Sequence, residues 1–425
     1  MSSIVDRLRG IVRPGGSQKQ DPPYGDSPGG YQEKDPPYEN STRTSDAAEV
    51  LDGEWRQDGP HRFLVVERSY APGHRHGWIS VADSLPPEEG WSRLALLAGT
   101  ACGGNLFFLD LETTGLAGGA GSYAFLVGCG WFSRGRFHVR QFLLSSFTSE
   151  RTLLEAVSET ARAADGVVTY NGKSFDLPLI ETRYALNRLT MPFAGMPHVD
   201  MLHHARRLWH GDEDGHRLGS LEQSLLGHAR EADVHGFEIP ARYFHYVRTG
   251  DARPLGPVFE HNRRDLLSLC LLTARAAQLL EHGAAAASTP REALGLGRLY
   301  ERSGMTSDAL ACYAKSADMG PGMCAEALHA HAVLLRRSRQ YEAAAEAWQR
   351  LLDVGDCGRR FEREAVEALA VHHEHRLRSL LSARGLAQRS LRIEATMTRR
   401  AATEHRLARL ERKLARADSA SLPLF

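Results

Sequence analysis

Two carboxylates, Asp110 and Glu112, stand at the end of the apolar run Leu106–Leu109. An all-apolar run of that kind predicts a strand covered on both faces. Alternation along a strand puts residues 110 and 112 on one face. Two buried carboxylates are costly unless something positive neutralises them. A divalent cation does this with the least machinery, and an all-oxygen donor set suits Mg²⁺ or Mn²⁺. The turn Thr113-Thr-Gly-Leu116 follows and carries hydroxyls, of which that of Thr113 could touch a substrate.

Further acids occupy suitable places. Asp176 ends Asn171-Gly-Lys-Ser-Phe-Asp176, after the predicted strand Val167–Tyr170. Asp265 ends Glu260-His-Asn-Arg-Arg-Asp265 inside a predicted long helix. His261 precedes Asp265 by one helical turn and shares its face. Four carboxylates suffice to hold two cations about 3.5–4 Å apart, the arrangement that supports in-line displacement at phosphate. His261 is then placed to accept the proton of the attacking water. Asn171 and Lys173 could touch a phosphate or could simply form a solvated loop.

The segment Phe108-Leu-Asp-Leu-Glu-Thr-Thr-Gly-Leu116, then N-G-x-x-F-D, then H-N-x-x-D, resembles the DEDD (DnaQ-like) exonuclease superfamily. More narrowly it is similar to the YprB-type ribonuclease H-like domain, a bacterial branch often followed by tetratricopeptide repeats. The resemblance spans roughly Arg62 to Leu280 and the region after it. It implies a ribonuclease H-like fold, 3′–5′ exonuclease chemistry on single-stranded nucleic-acid ends, and two Mg²⁺ or Mn²⁺ ions. It carries the ligand roles onto Asp110, Glu112, Asp176 and Asp265. One position departs from the pattern. The superfamily places Tyr four residues before the last Asp, or His five before it; here His261 is four before, and Glu260 is at the fifth place.

The elements that must position these residues follow from pattern. Strands are expected at Arg62–Arg68, Leu106–Leu109, Ser122–Phe132, Arg136–Leu144 and Val167–Tyr170. Helices are expected at Glu150–Ala164, Phe175–Leu189, Leu218–Leu226 and Pro257–Leu280. Three strands, helix, strand, helix is an α/β order with a mixed sheet flanked by helices. After Gly283-Ala-Ala-Ala-Ala-Ser288 the pattern becomes all-α. Gly297, Tyr300, Ala309, Tyr313 and Pro321, then Ala332, Leu335, Tyr341, Ala344 and Trp348, fit a tetratricopeptide-like repeat, an array that commonly binds protein partners. The expected organisation is a disordered tail over 1–50, the nuclease-like domain over 51–282, helical repeats over 289–395, and a basic helix with a tail over 396–425.

The chain of 425 residues has 52 Lys plus Arg against 52 Asp plus Glu, so any polyanion site must be local. Arg206, Arg207, Arg217, Arg263 and Arg264 flank the motifs and are a plausible phosphate-binding rim. The histidines from His198 to His216 read as surface residues rather than a zinc site. Asp200 is either an auxiliary acid or the cap of a helix starting at Met201. Six cysteines without C-x-x-C fit free thiols in a reducing cytosol. The first residues lack the apolar core of a signal peptide, and Thr113–Ser133, though charge-free, holds six glycines. A cytoplasmic protein without a membrane span is expected. Two short motifs remain: the repeated Asp-Pro-Pro-Tyr at 21–24 and 35–38, and the C-terminal Ser421-Leu-Pro-Leu-Phe425. The latter resembles the pentapeptide that docks bacterial replication enzymes on the sliding clamp, or else folds back as an apolar plug. Two other functions compete with the exonuclease: a catalytically silent scaffold and a structure-selective endonuclease.

Overall fold

The structure is a computed structural model, and it describes residues 46–87, 92–115, 121–209, 215–230, 233–320, 323–393 and 397–420. The repeated Asp-Pro-Pro-Tyr motif and the Leu-Phe tail lie outside these. Nine strands occur among the described residues: β1 (Glu54–Asp58), β2 (His61–Tyr70), β3 (Arg75–His76), β4 (Ile79–Ser80), β5 (Leu106–Thr113), β6 (Ala124–Ser133), β7 (Arg136–Leu143), β8 (Gly166–Thr169) and β9 (His198–Asp200). Seven form one mixed sheet in the order β1-β2-β7-β6-β5-β8-β9, and β3 pairs with β4 apart from it. β5 runs antiparallel to β6 and parallel to β8, which is parallel to β9.

β5 is the central strand the apolar run predicts. Phe108 and Leu109 are fully buried, on opposite faces. Phe107 and Leu109 pack with α1 (Glu150–Thr160) and α2 (Asp176–Leu186). Leu106 and Phe108 pack on α3 (Met201–Leu208) and the long α5 (Gly256–His282). Asp110 and Glu112 continue the second series, so strand alternation turns them toward α5. The strand does not stop at Leu109 but carries both acids within it and ends in a bulge at Glu112/Thr113.

Several boundaries differ from expectation. The first described helix, Ala47–Leu51, begins inside the stretch expected to be disordered. The helix expected over 218–226 is a single turn, Leu218–Leu221, followed by a widened turn to Leu226. β1, the β3–β4 pair and α4 (Ile239–Thr249) were not anticipated. β1 is an edge strand with mostly exposed residues, so it leaves little apolar alternation to read.

α6 (Pro290–Arg302), α7 (Thr306–Asp318), α8 (Cys324–Arg337), α9 (Tyr341–Asp353), α10 (Arg359–His375), α11 (Leu380–Ile393) and α12 (Met397–Ala420) form a C-terminal helical region in which successive helices pack together. Its core runs on without a break from the α5 face of the sheet. Buried Glu292 of α6 fastens the join: it accepts from Trp209 Nε1 (3.1 Å), Arg275 Nη2 (3.2 Å) and the Ser288 amide (2.8 Å). No described helix is long and apolar enough to cross a membrane. All six cysteines are free thiols.

Candidate active site

The site is assembled where β5 faces α5. Asn262 of α5, fully buried, donates from Nδ2 to Asp110 Oδ2 at 2.7 Å and to the Asp110 carbonyl at 3.2 Å. Its own Oδ1 accepts from Gln141 Nε2 at 2.8 Å, and Gln141 also donates to the Phe259 carbonyl at 2.8 Å. Asn262 therefore clamps the first acid to the helix that supplies the last one. This contact needs Gly128, which pairs with Asp110 across β5 and β6. A Cβ there would lie 2.2 Å from Asn262 Oδ1.

Asp265 and His261 rise from the same face of α5. His261 Nε2 lies 3.6 Å from Asp265 Oδ2 and 4.0 Å from Glu112 Oε1. His261 Nδ1 lies 2.7 Å from Asp233 Oδ1. Arg230 Nη1 approaches the same nitrogen at 3.2 Å, but the shorter contact is to an acceptor-only carboxylate, which favours a proton on Nδ1 and leaves Nε2 turned to the acids. Arg230 is the fixed cation of the site. It grips Glu222 through two 2.5 Å bonds, reaches Asp233 Oδ2 at 2.9 Å, and donates to Asp265 Oδ1. Glu222 is fully buried, so this pair anchors the Arg230 side chain beside the acids.

Asp176 begins α2 and reaches the site through the loop after β8. Asn171, at the start of that loop, is in the left-handed region with φ 63°. Its amide donates to Asp200 Oδ1 at 2.8 Å, and the Lys173 amide donates to Asp200 Oδ2 at 3.0 Å. Asp200 also accepts from the Leu202 amide at 3.2 Å. Asp200 is thus the N-cap of α3, and its other bonds shape the loop that delivers Asp176. The Lys173 side chain is exposed. Thr113 turns its hydroxyl to the Gly115 carbonyl at 3.0 Å.

The electrostatics are unfavourable as they stand. Burial, then Asp265, Glu112 and Asp176, push Asp110 far above the ordinary carboxylate range, against the Asn262 bond. Burial lifts Glu112 to about 8, with His261 opposing and Asp265 and Asp176 adding to it. Burial lifts Asp176 to about 7, aided by Asp200 and Asp265. Asp265 is also raised, by burial first, although His261 and Arg230 pull it down. Burial alone would lower His261, but Asp265, Glu112 and Asp233 outweigh it and raise it. Asp265 acts on the other three, and Glu112 and Asp176 act on Asp110, so the four share one field, and Arg230 touches only Asp265 among them. Oxygen donors with surplus negative charge fit a hard divalent cation. Among the described residues, no three His, Cys, Asp or Glu side chains already stand as a ready-made metal-binding group. Glu112, Asp176 and His261 line a cleft of about 420 Å³, with exposed Phe175 at its lip.

The structure brings Asp110, Glu112, Asp176, Asp265 and His261 together, with Thr113 and the Asn171–Lys173 loop beside them. Glu260, at the fifth place before Asp265, turns away and pairs with Arg263 and Arg264. These two arginines, expected at a phosphate rim, are therefore occupied. The histidines expected at the surface are partly structural: His204 is buried, and His198 lies 2.8 Å from Thr169 Oγ1. Asn262 stood within the quoted H-N-x-x-D motif but drew no role. Arg230, Asp233, Glu222 and Gln141 were missed, and no local spacing marks them.

The profile of the RNase_H superfamily matches residues 107–277. The protein YprB of Bacillus subtilis (strain 168) is 30% identical over 374 residues, covering 85% of this chain and 90% of that protein. Among solved structures, the family B DNA polymerase of the hyperthermophilic archaeon Pyrobaculum calidifontis aligns at 15% identity with a TM-score of 0.33. That alignment covers 47% of this chain, which spans only 29% of the polymerase chain. With a ribonuclease H superfamily domain at its centre and this relatedness along most of its length, the chain belongs to the YprB family.

Proposed function

We propose that this protein is a metal-dependent nuclease: a DEDD-type 3′–5′ exonuclease that hydrolyses phosphodiester bonds at single-stranded nucleic-acid ends. The observation that carries the reading is the gathering of four largely desolvated carboxylates and one histidine, from three parts of the chain, in and beside one cleft of a ribonuclease H superfamily domain. Asp110, Glu112, Asp176 and Asp265 are the residues that would hold two Mg²⁺ or Mn²⁺ ions. Such ions supply charge neutralisation, a lowered water pKa and stabilisation of the displaced oxygen.

The chain's own groups do the rest. Asp233 fixes the His261 ring so that Nε2 faces the acids, where it accepts the proton of the attacking water. Exposed Phe175 offers an aromatic face on which a terminal base can stack, which favours unpaired ends. Asn171 and Lys173 stand at the loop where a phosphate would pass. The helical region acts as a tetratricopeptide-like partner-binding array, and the Leu-Phe tail as a clamp-docking peptide. One observation favours a silent scaffold instead: Arg230 already occupies one oxygen of Asp265.

End-labelled DNA and RNA oligomers incubated with Mg²⁺, Mn²⁺ or EDTA decide among the readings. A ladder shrinking from the 3′ end, abolished by EDTA, is expected. Internal cuts at junctions would indicate the endonuclease. No hydrolysis with either metal would leave the scaffold.

A further inference from the structure

A second polar cleft, of about 330 Å³, opens where α3 meets α6 and α8, away from the carboxylates. Arg206 and Arg207 enter it from α3, and Arg291, Arg298 and Arg302 from α6. Glu326 is the lone acid on its described lining, and it is paired with Arg298 at 3.1 Å. Arg291 donates to the Trp209 carbonyl at 2.9 Å. The side chains of Arg206, Arg207 and Arg302 make no ion pair or hydrogen bond with any described residue and are exposed. Where arginines are largely buried elsewhere in the fold they meet acids: Arg183 meets Glu150 and Arg230 meets Glu222. Burial and the nearby Arg302 lower the pKa of Arg207, so like charges are held together here against repulsion. The close approach is built in: a Cβ on Gly295 of α6 would lie 2.4 Å from the Arg207 carbonyl oxygen.

The cleft is tied to the active site by one side chain. Asp200 caps α3, whose last turn carries Arg206 and Arg207, and it also holds the amides of Asn171 and Lys173 in the loop leading to Asp176. Arg206 lies within electrostatic range of Tyr170, which opens that loop. At about 1.5 Å rise per residue, Arg206 is roughly 9 Å along the helix from its cap. Lys173, His203, Arg206 and Arg207 therefore follow one another from the loop toward the α6 face.

We propose that this five-arginine cleft binds the sugar–phosphate backbone of the nucleic acid, holding the strand beyond the nucleotide being hydrolysed. Planar guanidinium groups recognise phosphate oxygens in pairs, and such contacts position a strand without reading its bases. Three unpaired arginines converge on this one cleft, two from α3 and one from α6, which is the concentration of free positive charge a polyanion requires. The cleft joins the ribonuclease H superfamily domain to α6, so the helical region contributes to substrate binding as well as to any partner contact. The inference rests on the nucleic-acid reading of the active site.

The test is binding without turnover. Fluorescent 20-nucleotide single strands of DNA and RNA are titrated in EDTA against the wild type and against Arg206→Glu/Arg302→Glu. Neither residue belongs to the catalytic machinery, and both are exposed. The variant should bind at least about tenfold more weakly at low salt. The slope of log K against log salt should fall by about 1.4, the value for two lost contacts to a single strand. Hydrolysis of a labelled dinucleotide, too short to reach the cleft, should be unchanged. Circular dichroism confirms that the variant is folded, and Arg206→Gln/Arg302→Gln supplies a milder second pair. Equal affinity and equal slope in wild type and both variants overturn the cleft while leaving the nuclease reading intact. Arginine-dependent binding without hydrolysis upholds the cleft and removes the nuclease. No binding by the wild type removes the cleft as a nucleic-acid site.

Discussion

Glu112→Gln should make the metal-free protein more stable, and increasingly so as the pH rises. Burial lifts Glu112 to about 8 in the folded chain, with Asp265 and Asp176 adding to the shift. Its side chain is 12% exposed, so the field that shifts it is only weakly screened. In the unfolded chain the group titrates near about 4.3. A carboxylate whose folded value is raised favours the fold while protonated, and that advantage is lost as the pH climbs through the folded value. At pH 6 Glu112 is protonated in the folded state; at pH 9 the fold must carry its charge. With about 1.4 kcal/mol per pKa unit, moving from pH 6 to pH 9 costs the wild type roughly 2–3 kcal/mol that the glutamine variant does not pay. At about 2 °C per kcal/mol in a chain of this size, the Tm gap widens by roughly 4–6 °C. Loss of this charge also relieves Asp110, which Glu112 pushes upward. The assay is thermal melting of both proteins in EDTA at pH 6 and pH 9, repeated with MgCl₂ or MnCl₂. A cation should raise the wild-type Tm at pH 9 more than that of the variant. A gap equal at the two pH values, or narrower at pH 9, would refute the claim that Glu112 is a buried charge awaiting a counter-ion.

Asp110→Asn should abolish hydrolysis while leaving the circular dichroism spectrum unchanged; retained activity would remove Asp110 from the ligand set. His261→Ala should slow turnover by about a hundredfold or more, as for a lost general base, and erase an ionisation near neutral pH from the pH–rate profile. Asp233→Asn should cost about 10- to 100-fold by releasing the ring; a change under about threefold at His261 would place the base elsewhere. Gly128→Ala should destabilise by about 1–3 kcal/mol through the clash with Asn262, read by urea unfolding, and should lower activity by displacing the Asp110 clamp. Glu374 lies against Arg409 and Lys413. Burial would raise it, but those partners hold it at about 2, so its contribution is full above about pH 4.3 and lost as pH falls toward 2. The stability difference between wild type and Glu374→Gln should shrink between pH 6 and pH 3; a constant difference would show that the α10–α12 contact does not depend on this charge.

The central strand, the mixed α/β character of the domain around it, the all-α character after residue 288, and the five side chains that gather beside that strand are legible in the sequence. Each of these leaves a local trace. Phe107, Phe108 and Leu109 form an unbroken apolar run because β5 is covered on both faces, and His261 and Asp265 share a face because a helix repeats every 3.6 residues. How those side chains are held depends on contacts between distant parts of the chain. Asp233 orients His261 from 28 residues upstream, and Arg230 spans Glu222, Asp233 and Asp265. Gln141 reaches Asn262 from another strand, and the space Asn262 needs exists because residue 128 has no Cβ. Such partners are chosen by proximity after folding, and no periodicity along the chain records them. The same reason separates the arginines. Arg206 and Arg264 look alike in sequence, yet Arg264 is neutralised by Glu260 one turn away, while Arg206 shares with the three arginines of α6 a cleft that exists only once α3 and α6 have packed.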